Sequence, residues 1–280
     1  MADTAFQTQY RQEFISAFEY GETLLRKTCI TEANIKGNQA VFLVAGTGGA
    51  EAVTRGVNGR IPARPDDLTQ LTCTLAEWHD KVERTDFNIM SSQGNGRRIM
   101  QQTTVKVLNR KIDADIIAEL DTATLTAGAA APASLSLISK AIGILGNNEV
   151  PVEDEDNIFV LGSPAMRHYL NQVPEFNSAD YVEVKGLSGR VTRFRRWAGA
   201  NFIFHPRLTG NGTSSEACFA YHRDSIGHAM HMAALDIAVG YNEEDAYSFA
   251  RATGHMGSKK LQNTGIVKIL HDGSAVGTGS

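Results

Sequence analysis

Aromatic residues recur every four positions at the start of the chain. Phe6, Tyr10, Phe14 and Phe18 have this spacing, which places their rings on one face of a helix. Two interpretations remain open. Either the stripe packs on the core of its own chain, or it belongs to an arm that docks on a neighbouring molecule.

The next pattern is a pair of extended segments on either side of a long polar loop. Residues 40–45 are a short apolar run, and residues 68–86 alternate apolar and polar side chains. Residues 46–67, between them, hold five glycines, two prolines and three arginines. Because this loop has too few apolar residues to form a core, we predict a long hairpin that projects from the molecule.

Residues 97–120 contain no glycine or proline and show a helical repeat of apolar side chains. The stripe consists of Val105, Leu108, Ile112, Ile116 and Leu120. At about 1.5 Å per residue, this helix would be about 35 Å long. A projecting hairpin and a long helix are better suited to reaching a neighbouring subunit than to building a compact monomer.

The pattern changes after a run of small residues at 122–133, which marks the best internal boundary. Beyond it we predict an α/β arrangement with helices at 134–145, after Ser163-Pro164 and at 223–232, and strands at 157–161, 190–197, 201–204 and 218–221. The final third predicts strands at 234–241, 246–256 and 264–270, which return to the first part of the chain.

Composition and charge exclude several classes of protein. With 280 residues and a formal net charge of −4, the chain has no overall attraction for nucleic acid, so such binding would need a local basic patch. Cys29, Cys73 and Cys218 are odd in number and far apart, which favours a reducing compartment over a disulfide framework. The sequence shows neither a secretion signal nor an apolar run long enough to span a bilayer.

Three motifs suggest a cofactor, catalytic or metal site, but each lacks a feature that such a site requires. The glycines at 46–49 follow a strand, as in a dinucleotide-binding turn, but Glu51 occupies the third glycine position and no helix follows. Ser163 precedes a proline and is interpreted as a helix cap rather than a nucleophile. His222, His228 and His231 lack a second group of ligands, so we predict surface or interface histidines and no metal site.

Two charged stretches are interpreted as surface features. The acidic run at 153–156 has no apolar neighbours and is predicted to be a solvated loop. The basic patch RFRRWAG at 193–199 could contact nucleic acid, but a strand whose arginines face solvent or the carboxylates of a partner is favoured. No catalytic residue, cofactor or metal is therefore predicted.

The order of the elements resembles the major capsid proteins of tailed bacteriophages, which have the α+β Hong Kong 97-type fold, and it is closest to the coats of short-tailed phages. FAYHRDSIGHAM is similar to the strand-to-helix segment that ends the axial domain. YSFARATGHMGSKKLQNTGIVKIL is similar to the terminal strand pair beside the spine helix. The resemblance implies an N-terminal arm (1–39), an extended E-loop hairpin (40–86), a peripheral domain with the spine helix (87–131 and 233–280) and an axial α/β domain (132–232).

This resemblance also implies a function. The chain would be a structural protein rather than an enzyme, forming homo-hexamers and homo-pentamers of an icosahedral virion capsid around double-stranded DNA, and it would need no cofactor. It would assemble in the cytoplasm of a bacterial host. Its expected partners are a separate scaffolding protein, a portal protein and packaged DNA on the inner face, and a decoration protein is left open.

Within the resemblance, the candidates for intersubunit contact lie in three elements. The hairpin contributes Arg55, Arg60, Arg64, Asp66 and Asp67, and the arm contributes Phe6, Tyr10, Phe14 and Phe18. In the long helix, Asp113 and Glu119 are candidate partners for the arginines of a neighbour. Two alternatives remain: an encapsulin-type nanocompartment of the same fold, and a soluble α/β nucleotide-binding enzyme.

Overall fold

The computed structural model describes residues 22–32, 35, 37–47, 49–64, 67–85, 96–177, 195–197, 199–231 and 236–276. Its helices in these ranges are α1 (Gly96–Asp121), α2 (Leu135–Asn147), α3 (Pro164–Leu170) and α4 (Pro174–Asn177). Its strands are β1 (Ile30–Glu32), β2 (Gln39–Gly46), β3 (Asp67–Thr74), β4 (Ala76–Thr85), β5 (Leu125–Thr126), β6 (Ile158–Gly162), β7 (Arg195–Trp197), β8 (Ala200–Phe204), β9 (Glu216–His222), β10 (Ile226–Met230), β11 (Asp236–Asn242), β12 (Tyr247–Lys260) and β13 (Ile266–His271). Short 3-10 turns are formed by Arg26–Thr28, Arg223–Ser225 and Asn263–Gly265.

The long helix predicted at 97–120 is confirmed as α1, which is one residue longer at each end. The helix packs on the strand β12, where four residues of its apolar stripe are buried (Leu108, Ile112, Ile116 and Leu120) and Val105 is half-buried. The Lys111 ammonium lies 3.8 Å from the centre of the Trp78 ring in β4, and 2.7 Å from the Asp115 carboxylate one helical turn further on. These contacts fix the helix across the sheet to which β4 and β12 belong.

That sheet has five strands and is built around β12, which is 14 residues long. The strands β4 and β11 both pair with residues 247–253 of β12, so they lie at its opposite edges. β10 pairs antiparallel with the last residues of β12, and β1 adds parallel to β10. Side chains alternate between the two faces, which is why Ala250 and Ala252 are buried while Arg251 between them is exposed.

A second, six-stranded sheet has the order β5-β13-β9-β6-β8-β7. Every residue of β6 and β9 is buried, as expected for central strands covered on both faces. The strands predicted at 157–161, 201–204 and 218–221 are confirmed here. The cap prediction for Ser163 is also confirmed, because its hydroxyl accepts the Met166 N–H at 3.0 Å at the start of α3.

Three predictions about strands differ from the structure. The segment 223–232 is predicted as a short helix, but it forms a 3-10 turn followed by β10, because pairing with β12 satisfies its backbone groups. Residues 246–270 are predicted as one strand pair beside the long helix, but β13 pairs with β9 and β5 in the other sheet. The extended segment 68–86 is two strands, and of these β3 pairs with β2 while β4 pairs with β12.

The strands β2 and β3 form a separate antiparallel hairpin. Its base packs on the five-stranded sheet through a small cluster that includes Phe42, Cys73 and Ala229. A Cβ atom at Gly227 would lie 2.7 Å from Phe42 Cζ, so only glycine lets this ring approach β10 so closely. The hairpin is therefore anchored at its base.

One continuous apolar core joins the two larger sheets. It includes Leu120 of α1, Leu145 of α2, Phe219 of β9 and Met256 of β12. The helices and sheets thus share their buried surface instead of forming two separately packed halves. Within the described ranges, no helix combines the length and apolar character needed to cross a membrane.

Candidate intersubunit surfaces

One face of the β2–β3 hairpin is apolar and uncovered in the isolated subunit. Side chains alternate along β2, so Ala40 and Phe42 turn inward while Val41 and Leu43 turn outward. Leu43 is 62% exposed, and Leu68 in β3 is 51% exposed. An uncovered apolar face on a projecting element is typical of a surface that a partner covers.

The loop that joins β2 to β3 extends this surface with positive charge. Every residue of the loop that the structure describes is exposed. Arg55, Arg60 and Arg64 lie in it, and no ion pair joins any of them to another described residue. Asp67 is exposed where β3 begins, whereas Asp66 lies outside the described ranges.

A second uncovered apolar surface lies on β11, at an edge of the five-stranded sheet. Ile237, Val239 and Tyr241 alternate along this strand and are between 41% and 46% exposed. The strand leads directly into an exposed acidic turn, residues 243–245. The sequence-based predictions do not include this surface, although apolar alternation in DIAVGYN followed by the acids of NEED is a signal for it.

Asp113 occupies a different place from the one predicted for it. It is 3% exposed, and its two carboxylate oxygens accept the backbone N–H groups of Leu24 and Leu25 at 3.1 and 3.2 Å. His205 Nε2 lies 3.5 Å from the same carboxylate. These contacts leave no accessible oxygen for an arginine of another subunit, because the carboxylate is enclosed by its own chain.

Glu119 also has a partner within the subunit. Its Oε2 atom accepts the backbone N–H of Lys260 at 3.0 Å, which ties α1 to the end of β12. The side chain is half-buried. An intersubunit contact of Glu119 stays a prediction.

The described part of the N-terminal segment is firmly attached to the rest of the subunit. Besides the Asp113 contacts, the Thr28 hydroxyl lies 2.6 Å from the Tyr221 hydroxyl of β9. Both groups are buried. The four aromatic residues predicted as a docking stripe, Phe6, Tyr10, Phe14 and Phe18, lie outside the described ranges.

The histidine prediction is wrong for two residues. His222 ends β9 and His228 lies in β10, and both are buried because these strands are covered on both faces. His228 Nδ1 lies 3.0 Å from Ser258 Oγ, and burial, with the nearby charge of Arg26 as a further cause, lowers the pKa of His228 to about 4. In the described part of the chain, no group of three or more His, Cys, Asp or Glu residues is arranged to hold a metal ion.

The basic patch at 193–199 is partly neutralised inside the subunit. The Arg196 guanidinium contacts the Asp156 carboxylate and lies 3.5 Å from that of Glu155. The acidic run predicted at 153–156 is exposed, as expected, but it serves as a partner for this arginine. Trp197 is buried and donates its indole N–H to the Glu175 carbonyl at 3.1 Å.

Ser163, Glu216 and His271 form a buried polar cluster. The Ser163 hydroxyl contacts Glu216 Oε2, Glu216 Oε1 accepts the Gly212 N–H at 2.7 Å, and His271 Nε2 lies 3.9 Å from Glu216 Oε2. All three side chains are fully buried. The serine bonds the carboxylate rather than the histidine, so the cluster lacks the serine–histidine contact of a hydrolase. It instead brings the start of α3 together with β9 and β13.

The fold is shared with solved capsid structures. The chain is similar to a chain of Mycobacterium phage Che8, with a TM-score of 0.73 and 15% identity over 96% of this chain and 98% of that one. It is also similar to the capsid of a native GTA particle (TM-score 0.70, 12% identity) and to the capsid of Ralstonia phage GP4 (TM-score 0.68, 12% identity), each over 96% of both chains.

At these identities the likeness establishes the fold alone, and no curated protein matches the sequence significantly. The family assignment comes from the sequence itself. A family model described as phage capsid protein matches residues 2–273, which is nearly the whole chain. The chain therefore belongs to the phage capsid protein family, as a major capsid protein.

Proposed function

We propose that this capsid protein builds an icosahedral tailed-phage head from homo-hexamers and homo-pentamers, which enclose double-stranded DNA. The observation that carries this proposal is the projecting β2–β3 hairpin, with its uncovered apolar face and with arginines that form no ion pair with any residue the structure describes. Such a surface is costly to expose in a monomer, and a neighbouring copy would cover it. Many weak contacts of this kind, repeated over a closed shell, give a stable assembly.

The parts of the Hong Kong 97-type fold are assigned from the sequence boundaries and the sheets. Residues 1–39 are the N-terminal arm, 40–86 the E-loop region, 87–131 and 233–280 the peripheral domain with α1 as spine helix, and 132–232 the axial domain. Sheet membership refines these limits. The five-stranded sheet, which belongs to the peripheral domain in this proposal, also includes β1, β4 and β10, and the six-stranded sheet of the axial domain also includes β5 and β13.

The acceptor for the hairpin is the β11 surface of a second copy. On each surface an apolar strand is followed by a charged segment. The apolar face of the hairpin is followed by the loop with the three arginines, and β11 is followed by the acidic turn at 243–245. The strands β2 and β11 have similar lengths, eight and seven residues. Apolar contact would supply affinity, and the opposite charges would fix the register.

Charge exchange between the two surfaces tests this contact. Replacing Arg55, Arg60 and Arg64 by Glu, or residues 243–245 by Lys, is expected to abolish closed shells in electron micrographs. Combining both sets restores the attraction, so shells are expected to return. As a control, Glu153→Lys with Asp154→Lys changes exposed charges in the six-stranded part of the subunit and is expected to leave assembly intact.

Light scattering of the unaltered protein tests whether the protein assembles with itself at all. We expect capsomers, shells or polydisperse aggregates. A monodisperse monomer near 30.3 kDa at high concentration would contradict self-assembly.

The remaining partners follow from the resemblance. A separate scaffolding protein, a portal protein and assembly in the bacterial cytoplasm belong to this proposal, with a decoration protein left open. The encapsulin alternative is not favoured, because the matching family model describes phage capsid proteins. These partners can be tested by purifying intact particles and identifying the nucleic acid and proteins that they contain.

A further inference from the structure

An open pocket of about 650 Å³ lies where the N-terminal segment meets α1 and the 3-10 turn after β9. Arg26 and Lys27 come from the N-terminal segment, Arg223 from the turn, and Asn109 from the helix. None of these residues belongs to the hairpin or to the β11 surface. The pocket is therefore separate from the proposed contact between subunits.

The charge of this pocket is unbalanced. Three cationic side chains line it, against the single carboxylate of Glu22. Arg26, Lys27 and Arg223 form no ion pair with any residue in the described ranges. Like charges placed together in one concavity repel each other unless an anion joins them, and such arrangements are typical of anion-binding sites.

The arginines of the pocket affect the pKa values of two buried groups beside it, His228 and Cys29. The charge of Arg26 helps to lower the pKa of His228, next to the larger effect of burial. Burial raises the pKa of Cys29, the Asp113 carboxylate raises it further, and the charge of Arg223 lowers it by a smaller amount. Both guanidinium groups thus act electrostatically on the interior at this point, although they are 197 positions apart in the sequence.

We propose that this pocket binds phosphate groups of the packaged DNA backbone. The inference rests on the proposed function, in which the shell encloses double-stranded DNA. Guanidinium groups match the oxygens of phosphate in a forked geometry, and the Asn109 amide and Thr23 hydroxyl add polar groups to the lining. Because the whole chain has a net charge of −4, a local site of this kind is what contact with DNA requires.

Titration of fluorescent short duplex DNA with the full-length, unassembled protein at several salt concentrations tests the proposal by fluorescence anisotropy. Arg26→Ala with Arg223→Ala is expected to weaken binding roughly tenfold or more at about 0.1 M salt, and to reduce the slope of log K against log salt by about two. The matched control, Lys140→Ala with Arg207→Ala, removes two exposed cations elsewhere and is expected to leave both quantities unchanged.

The outcomes separate the pocket from the rest of the proposal. Equal binding by the two double variants, or no binding by the unaltered protein, would overturn the phosphate site while leaving shell formation intact. If the pocket variant binds DNA normally but no longer forms shells, the pocket holds acidic side chains of another protein copy instead. Failure of the unaltered protein to form shells would count against the proposed function itself. Circular dichroism melting of both variants excludes misfolding as the cause.

Discussion

At the scale of single residues, buried polar side chains hold the subunit together at the points where distant segments meet. Asp113 receives the N–H groups of Leu24 and Leu25, and Glu216 receives the hydroxyl of Ser163. In each case a carboxylate without access to water is balanced by hydrogen bonds, which is the condition for burying such a group. These two carboxylates therefore stabilise the fold of the subunit itself.

Asp113→Ala tests this at the N-terminal segment. The substitution leaves two buried backbone N–H groups without an acceptor, so we expect the free energy of unfolding to fall by about 2–4 kcal/mol. Urea unfolding of the unassembled protein measures the change. Glu153→Ala, at an exposed position, serves as a control and is expected to have little effect. Equal unfolding midpoints for the two variants would show that the Asp113 contacts do not stabilise the subunit.

His228 gives the subunit a defined sensitivity to acid. Its pKa is about 4 in the folded chain, mainly because burial disfavours the imidazolium, against about 6.5 when unfolded. The unfolded chain therefore binds the extra proton first, and stability is lost as the pH falls from 6.5 towards 4. The difference corresponds to about 3 kcal/mol.

We expect His228→Asn to remove this part of the pH dependence. Urea unfolding between pH 7 and pH 4 should show a shallower loss of stability for the variant than for the unaltered protein. His168→Asn, at an exposed histidine, is the control and should retain the full slope. Identical slopes for all three proteins would contradict a buried, neutral His228.

At the scale of elements, the molecule divides into a rigid frame and a projecting part. The frame consists of α1 and the two larger sheets around one core, whereas the β2–β3 hairpin is held through its base by a small separate cluster. A loop that adds no buried surface contributes little to the stability of the frame. Its contribution is to contacts with other copies.

Deletion of residues 48–66 separates these roles. We expect the melting temperature of the unassembled protein to change by no more than about 2 °C, because the described residues of the loop are exposed. Closed shells should be absent from electron micrographs of the same preparation. Loss of cooperative melting would mean that the loop belongs to the core.

At the scale of the whole molecule, the chemistry of the side chains limits how a shell can be held together. No lysine occurs between Lys36 and Lys81, so the hairpin loop has no amine nucleophile, and arginine does not replace one because it stays protonated. Burial raises the pKa of Cys29 and Cys218 to about 12 and that of Cys73 to about 11, which keeps these thiols protonated and unreactive.

Mature shells should therefore be held by non-covalent contacts. Boiling purified shells in detergent without reductant is expected to release a single band near 30.3 kDa on a denaturing gel. A ladder of multimers would contradict this expectation, and mass spectrometry of the ladder would identify the bond.

Local sequence patterns determined the elements whose formation depends on near neighbours. The helical repeat and the lack of breakers placed α1 to within one residue at each end, and the glycine-rich composition of 46–67 marked the exposed loop. The cap at Ser163 also followed from two adjacent residues. Each of these outcomes is set by interactions within a few positions along the chain.

Which strands pair and which polar groups are buried became evident only from the three-dimensional structure. The break of 68–86 into β3 and β4, the strand at 226–230 and the place of β13 depend on partners far along the sequence. Asp113 is charged, and charged residues are usually found at the surface. Its hydrogen-bond partners lie 88 and 89 positions away in the sequence, so the local pattern could not predict that it is buried. Pairing and burial are properties of the packed chain, and the periodicity of one segment does not encode them.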